Sequence, residues 1–298
     1  MANKNKKEEP SKKIVYNWFP GHMAKTRRQI KESLPMVDAV TELLDARVPM
    51  SSRNPELDEL TGSKPRIVLL NKCDMADEKA TAQWLDWFAQ KGTAAMAVDC
   101  RSGKGLQGYH ALVRRVLAER IRLNEEKGMP GKPLRIMVVG IPNTGKSSFI
   151  NRCAGFGKAQ VADRPGVTRS NKWFVIGNGI ELLDTPGVLW PKFEDPDVGD
   201  RLSFIGSIKD EVVDCETMAV RLLEVLARDY RQQLMTRYKL DGIDGLAPYE
   251  LLERIGRRRG MLISGGEIDT ERTAVMLLDE YRAGKLGRIT LERPCDYA

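Results

Sequence analysis

Histidine is almost missing from this 298-residue chain: only His22 and His110 occur, which excludes a histidine-rich metal centre and leaves imidazole chemistry to one of two residues. Cysteine is sparse and unpatterned. Cys73, Cys100, Cys153, Cys215 and Cys295 are odd in number and have the spacing of neither a disulfide framework nor a zinc site, so they read as free thiols. No stretch approaches the roughly 18 uninterrupted apolar residues of a membrane span. The amino terminus has no apolar signal core, and Glu8 and Glu9 are unlike an acid-poor, arginine-rich transit peptide, so a cytoplasmic protein is expected. Ala2 stands where myristoylation needs glycine, and Cys295 to Ala298 form no prenylation box, which disfavours a membrane-anchored role.

What is present is an ordinary soluble composition, 42% hydrophobic and 30% charged, enough for an α/β domain of about 150 to 200 residues and a smaller second one. The net charge of +7 is uneven. Residues 1–33 hold nine Lys/Arg against three Asp/Glu, whereas residues 200–298 hold 16 against 18. A basic front of this kind is either a solvated tail or a grip on an anionic partner such as nucleic acid.

Residues 1–13 are lysine-rich without apolar periodicity and read as a disordered tail. Pro20-Gly21 reads as a turn, followed by a helix from about His22 to Leu34 with Met23, Ile30 and Leu34 on one side. Apolar runs at 39–47, 66–74, 94–105, 134–140, 173–177 and 180–187 read as strands ending in polar loops. Helices are expected at 78–90, 106–126 and 146–154. That alternation predicts an α/β fold with a parallel-type sheet covered on both faces. Beyond Pro196 the pattern is helical throughout, with Ala219, Leu222, Leu223, Leu226 and Leu234 at helix spacing and breaks at Asp241-Gly242 and Gly265-Gly266. The expected division is a domain over 14–195 and an all-α domain over 196–298.

Gly140-Ile141-Pro142-Asn143-Thr144-Gly145-Lys146-Ser147 matches G-x-x-x-x-G-K-[ST] and lies between a strand and a helix, as a phosphate-binding P-loop must. Its backbone N–H groups, through Ser148, cradle phosphate oxygens. Lys146 supplies positive charge, and the Ser147 hydroxyl ligates Mg²⁺. A P-loop does not choose its base. Asn71-Lys72-Cys73-Asp74 does: the Asp74 carboxylate accepts from the N1–H and exocyclic amine of guanine, a donor pair that adenine lacks. A general P-loop ATPase is therefore disfavoured. Asp99, Cys100 and Arg101 occupy the loop whose backbone N–H groups meet the guanine carbonyl. Asp184-Thr185-Pro186-Gly187 places a carboxylate on the magnesium shell and the Gly187 N–H toward the γ-phosphate. Thr168 is the expected switch threonine, a second protein ligand to Mg²⁺.

Ordinary small GTPases carry the P-loop before N-K-x-D. Here N-K-x-D comes first, and none follows Gly187, so the chain is circularly permuted. Geometry allows this because every site loop hangs from the same edge of one parallel sheet. The expectation is a P-loop GTPase fold, circularly permuted, binding GTP and GDP.

Taken together, NWFPGHMAKTRRQI, DARVPMSSRNP, NKCD, GIPNTGKSS, DRPGVT and LLDTPGVLWP resemble the ribosome biogenesis GTPase A family over roughly residues 16 to 195, and EYRAGKLGRITLERP resembles its end. The resemblance implies GTP hydrolysis in late maturation of the large ribosomal subunit, and a monomer in solution is expected. It also implies stimulation by the pre-ribosomal particle and a C-terminal domain that binds ribosomal RNA. In the C-terminal part, Arg254, Arg257, Arg258 and Arg259 crowd one helix, either a solvated face or a phosphate-contacting patch.

The residue after Asp184-Thr185-Pro186-Gly187 is Val188, where many GTPases have a water-orienting glutamine. Slow intrinsic hydrolysis follows, with the substitute coming from the chain, a partner or a cation. His22, beside the Pro20-Gly21 turn, is the internal candidate, and the resemblance points to it too. His110 reads as structural. Asn143 resembles the asparagines of potassium-stimulated GTPases, which makes K⁺ a candidate activator.

Overall fold

A computed structural model describes residues 20–155, 172–187, 189–190, 193 and 195–297, with side chains from Ala24 onward. The lysine-rich tail, Thr168 and Val188 lie outside the described residues. In chain order the α/β part runs α1 (Pro20–Ser33), β1 (Ala39–Asp45), α2 (Glu56–Thr61), β2 (Arg66–Asn71), α3 (Glu78–Gln90), β3 (Ala94–Ala97), α4 (Tyr109–Val116), α5 (Ala118–Glu126), β4 (Leu134–Val139), α6 (Lys146–Cys153), β5 (Lys172–Val175) and β6 (Ile180–Asp184). Helices α7 (Pro196–Phe204), α8 (Cys215–Asp229), α9 (Arg231–Tyr238), α10 (Pro248–Arg259) and α11 (Thr270–Arg282) follow.

The sheet order is β3-β2-β1-β4-β6-β5. Every residue of β1 is buried, as a central parallel strand requires. Five strands run parallel, but β5 pairs antiparallel with β6. The cause is local: Gly177, Asn178 and Gly179 all take positive φ, and so tight a turn returns the chain beside itself.

Other boundaries shift for physical reasons. α1 already begins at Pro20, so the expected Pro20-Gly21 turn is instead the first turn of the helix, where proline's missing N–H costs nothing. The expected helix at 106–126 is kinked at Leu117, although Leu117 N–H still reaches Val113 and Ile121 N–H reaches Leu117. α7 opens with Asp195 accepting from Asp197 N–H and Pro196 in the first turn.

The helical part shares an apolar core with the loops that follow β1 and β4: Val48 and Ile141 join Leu202, Met218, Leu222 and Leu277 in one cluster. After α11 the chain returns as an extended strap along the loops that follow β1 and β2. Leu291 N–H donates to Arg47 O at 2.8 Å, and Trp84 Nε1–H donates to Glu292 O at 3.2 Å. Buried Glu292 accepts from Met50 N–H at 2.7 Å and from Ser51.

Candidate functional site

The loops after β2, β3, β4 and β6 emerge at the same edge of the sheet and enclose a cleft of about 900 Å³. Its lining includes Asn71, Lys72, Asp74, Asp99, Cys100, Arg101, Pro142, Asn143, Gly145, Lys146, Ser147, Ser148, Asp184 and Gly187. Residues spread over more than a hundred positions are thus gathered in one place. Of the P-loop, Gly140, Ile141 and Thr144 do not line the cleft, and Thr144 is the one of these expected to bind nucleotide. It is fully buried, and its hydroxyl turns back onto the Ile141 carbonyl at 2.9 Å, so its side chain shapes the loop rather than the cleft.

At one end of the cleft, Asn71 ties three loops together. Its Nδ2 donates to the Thr144 carbonyl at 2.6 Å, and its Oδ1 accepts from Cys100 N–H at 2.9 Å. Gly145 must be glycine here: its φ is +98°, and an added Cβ would lie 2.3 Å from Asn71 Nδ2. Lys72 Nζ sits 2.9 Å from Asp45 Oδ2, and Arg47 grips the same carboxylate through Nε at 2.9 Å and Nη2 at 2.8 Å. Burial opposes ionisation of Asp45, but these two cations outweigh it and hold the carboxyl well below the usual range. Arg47 also donates to the Tyr281 carbonyl at 3.1 Å and stacks over the Tyr281 ring. Asp99 accepts from Arg101 N–H at 2.8 Å. Such hydrogen bonds overcome burial and lower its pKa, fixing the loop that carries Cys100 and Arg101.

The other end is less balanced. Lys146 Nζ donates to Gly140 O at 3.0 Å and Ile141 O at 2.8 Å, and burial pushes its pKa down to about 8 against the attraction of Asp184. Burial pushes Asp184 up, against the pull of Lys146 and Lys172. A Cβ on Gly187 would stand 2.8 Å from Lys146 Nζ, so the loop after β6 rests directly on the P-loop lysine. Among the described residues no three His, Cys, Asp or Glu side chains converge as a metal cage. A hydroxyl and a carboxylate, Ser147 and Asp184, face the cleft instead. These are hard oxygen donors suited to Mg²⁺ that keeps most of its shell for water and phosphate.

Asn143, expected to ligate a cation, has φ +63° and directs its side-chain nitrogen onto the Gly206 carbonyl of the helical part. Ser207 reinforces the contact by donating to Pro142 O at 2.8 Å. His22 lies in the first turn of α1; its side chain is outside the described residues. His110 Nε2 lies 3.2 Å from Ile176 O, away from the cleft lining. Sequence reasoning missed Lys172, Met75 and Arg282, which also line the cleft. Arg282 arrives from α11, with Asp210 on its guanidinium at 2.7 and 2.6 Å; it lies in the family-like run EYRAGKLGRITLERP, but nothing in that run points to the cleft. On α10 all four arginines are exposed, but Arg258 pairs with Asp241 and Arg259 with Glu280, whereas Arg254 donates to the Gly242 carbonyl at 2.9 Å, so two members of the expected basic patch carry a carboxylate partner.

A family model described as "50S ribosome-binding GTPase" matches residues 135–237, from β4 onward, so Asn71 to Asp74 lie upstream of the match. Ribosome biogenesis GTPase A of Priestia megaterium is 48% identical over 285 residues, covering 95% of this chain and 98% of the relative. The protein of that name from Thermotoga maritima is 33% identical over 280 residues, covering 94% and 95%. Mitochondrial ribosome-associated GTPase 1 of Mus musculus is 35% identical over 299 residues, covering 94% and 90%. Among solved structures, GNP-bound YlqF from T. maritima superposes with a TM-score of 0.64 at 31% identity, covering 91% of this chain and 98% of that one. A GDP-bound YlqF gives 0.65 at the same identity, covering 90% and 100%.

Proposed function

The chain belongs to the ribosome biogenesis GTPase A family, and from that premise we propose that the precursor of the large ribosomal subunit switches its GTP hydrolysis on during late assembly. Binding of GTP and GDP, GTP hydrolysis and a role in ribosome assembly follow from membership. The particle, its stage and the stimulation are our reading. The observation that supports it is the direct contact between cleft and helical part: Gly206 and Ser207 bond to the P-loop, and Arg282 reaches the cleft wall. A surface docked on the particle thereby has a short physical route to the phosphates.

In this reading Asp74 reads guanine, Asn71 and Lys72 brace it, and the backbone from Asp99 to Arg101 faces the base carbonyl. The P-loop from Pro142 to Ser148 holds the phosphates. Ser147, Asp184 and Thr168 hold Mg²⁺, which neutralises phosphate charge when bound. Burial without full compensation at Asp184 supports a cation there. The Asn143 side-chain oxygen is the atom of that residue suited to an activating K⁺. Arg254 and Arg257 contact ribosomal RNA phosphates, and the protein works as a cytoplasmic monomer. His22 orients the attacking water in the absence of a glutamine.

Single-turnover hydrolysis with saturating large subunits in potassium buffer tests this. His22→Ala is expected to keep GTP affinity within a few-fold and to lose about 10²–10⁴-fold of the stimulated rate. A wild-type rate would move the catalytic group onto the particle. A wild-type protein that large subunits do not accelerate would remove the switch altogether.

A further inference from the structure

The loop that carries Asp74 is not held by the α/β part alone. Met75, the next residue, is gripped from the far end of the chain: its carbonyl accepts from Ile289 N–H at 2.9 Å, and its side chain packs on Gly284. Gly284 has φ +71°, and a Cβ there would stand 2.8 Å from Met75 Cγ. Two residues on, Asp77 N–H donates to Thr290 Oγ1 at 3.0 Å, and Arg288 pairs with Glu78 at the start of α3. On the other side of the loop, Leu291 N–H bonds the carbonyl of Arg47, the residue that holds Asp45 and through it Lys72. The strap from Gly284 to Leu291 thus borders the guanine loop along its backbone, and Met75 lines the cleft beside Asp74.

We infer that this strap is a specificity-determining element: Gly284 and Ile289 position Asp74 through Met75, so guanine selectivity is set partly by the C-terminal end of the chain. The inference rests on the reading of Asp74 as the guanine-binding carboxylate. Two hydrogen bonds to one base edge demand a carboxylate placed to about 0.5 Å. The exocyclic amine separates guanine from hypoxanthine, so the ratio of IDP to GDP dissociation constants reads that placement. A purely structural strap would change stability and leave the ratio alone.

Gly284→Ala forces a side chain against Met75. Gly260→Ala is its control, since Gly260 closes α10 at φ +68° with nothing within 4 Å of its Cβ position, so it carries the same backbone cost without the contact. Calorimetric titration of the full chain with GDP and IDP, beside thermal unfolding, makes the comparison. Gly284→Ala is expected to lower the IDP-to-GDP ratio by about ten-fold, the scale of one hydrogen bond to a charged group. Gly260→Ala is expected to lose similar thermal stability with the ratio unchanged, and adding Met75→Ala to Gly284→Ala to restore most of the ratio. A Gly284→Ala ratio within two-fold of wild type overturns the inference, as does an equal loss in Gly260→Ala. If Asp74→Asn retains guanine preference, the reading of Asp74 fails and carries the inference with it. If Asp74→Asn switches preference while Gly284→Ala changes nothing, the strap alone is overturned.

Discussion

The two ends of the cleft are built on opposite principles. Around Asn71 and Lys72 the polar groups are matched within the protein: Asn71 uses both ends of its amide, and buried Asp45 meets Lys72 and Arg47. Around Lys146 and Asp184 burial prevails over mutual attraction, and both groups are pushed toward neutrality. One end is finished before a ligand arrives. On the proposed reading, nucleotide would bring the other end a phosphate for its lysine and a cation for its carboxylate, supplying there what the first end already has.

The contrast breaks most completely at Arg47. Arg47→Ala leaves buried Asp45 with Lys72 as its one remaining cation and removes one donor to the Tyr281 carbonyl, which keeps Gly284 N–H, an expected loss of about 3–5 kcal/mol in unfolding free energy. Urea titration measures it, and a loss below about 1 kcal/mol would mean that the guanine end is not internally braced. Next in size is Asp74→Asn. GDP affinity is expected to fall about a hundred-fold, with xanthosine diphosphate gaining, because the variant amide offers a donor where the carboxylate accepted. Unchanged GDP binding would reassign the base-reading residue.

The smallest effect sharpens the other end. Beside a phosphate Lys146 would hold its charge, whereas in the ligand-free protein burial pushes its pKa down to about 8. Binding therefore takes up a proton: affinity is full below pH 8 and falls as pH rises through it, by about four-fold for GDP between pH 7 and 8.5. Titrations in buffers of different ionisation heat count the proton directly. A pH-independent affinity over that range would show that Lys146 keeps its charge without phosphate.

How much of this was legible in the sequence depends on how far apart the interacting residues are. The P-loop, Asn71 to Asp74 and Asp184 to Gly187 are written locally, because each loop's chemistry sits on four to eight consecutive residues at a strand end. The antiparallel edge was also locally written, in Gly177-Asn178-Gly179, but the pattern of alternating strands and helices masked that signal. Arg282 and the strap lie in EYRAGKLGRITLERP, a run that resembles the family but carries no sign of what it touches, and Met75 had no mark of its own. Their roles exist only because Ile289 meets Met75 and Arg47 meets Tyr281, and no periodicity records a contact between residues so distant along the chain. The arginines of α10 show the converse: a vivid run of charge gave no hint that Asp241 and Glu280 would pair with two of its four exposed members.

The strap also has a consequence in time. Asp77 and Thr290 touch although 213 positions separate them, and a chain is made from its amino end. While synthesis continues, the loop after β2 is made long before the residues that border it. A nascent copy therefore lacks the bonds to Met75 and Asp77 until Ile289 and Thr290 have been made.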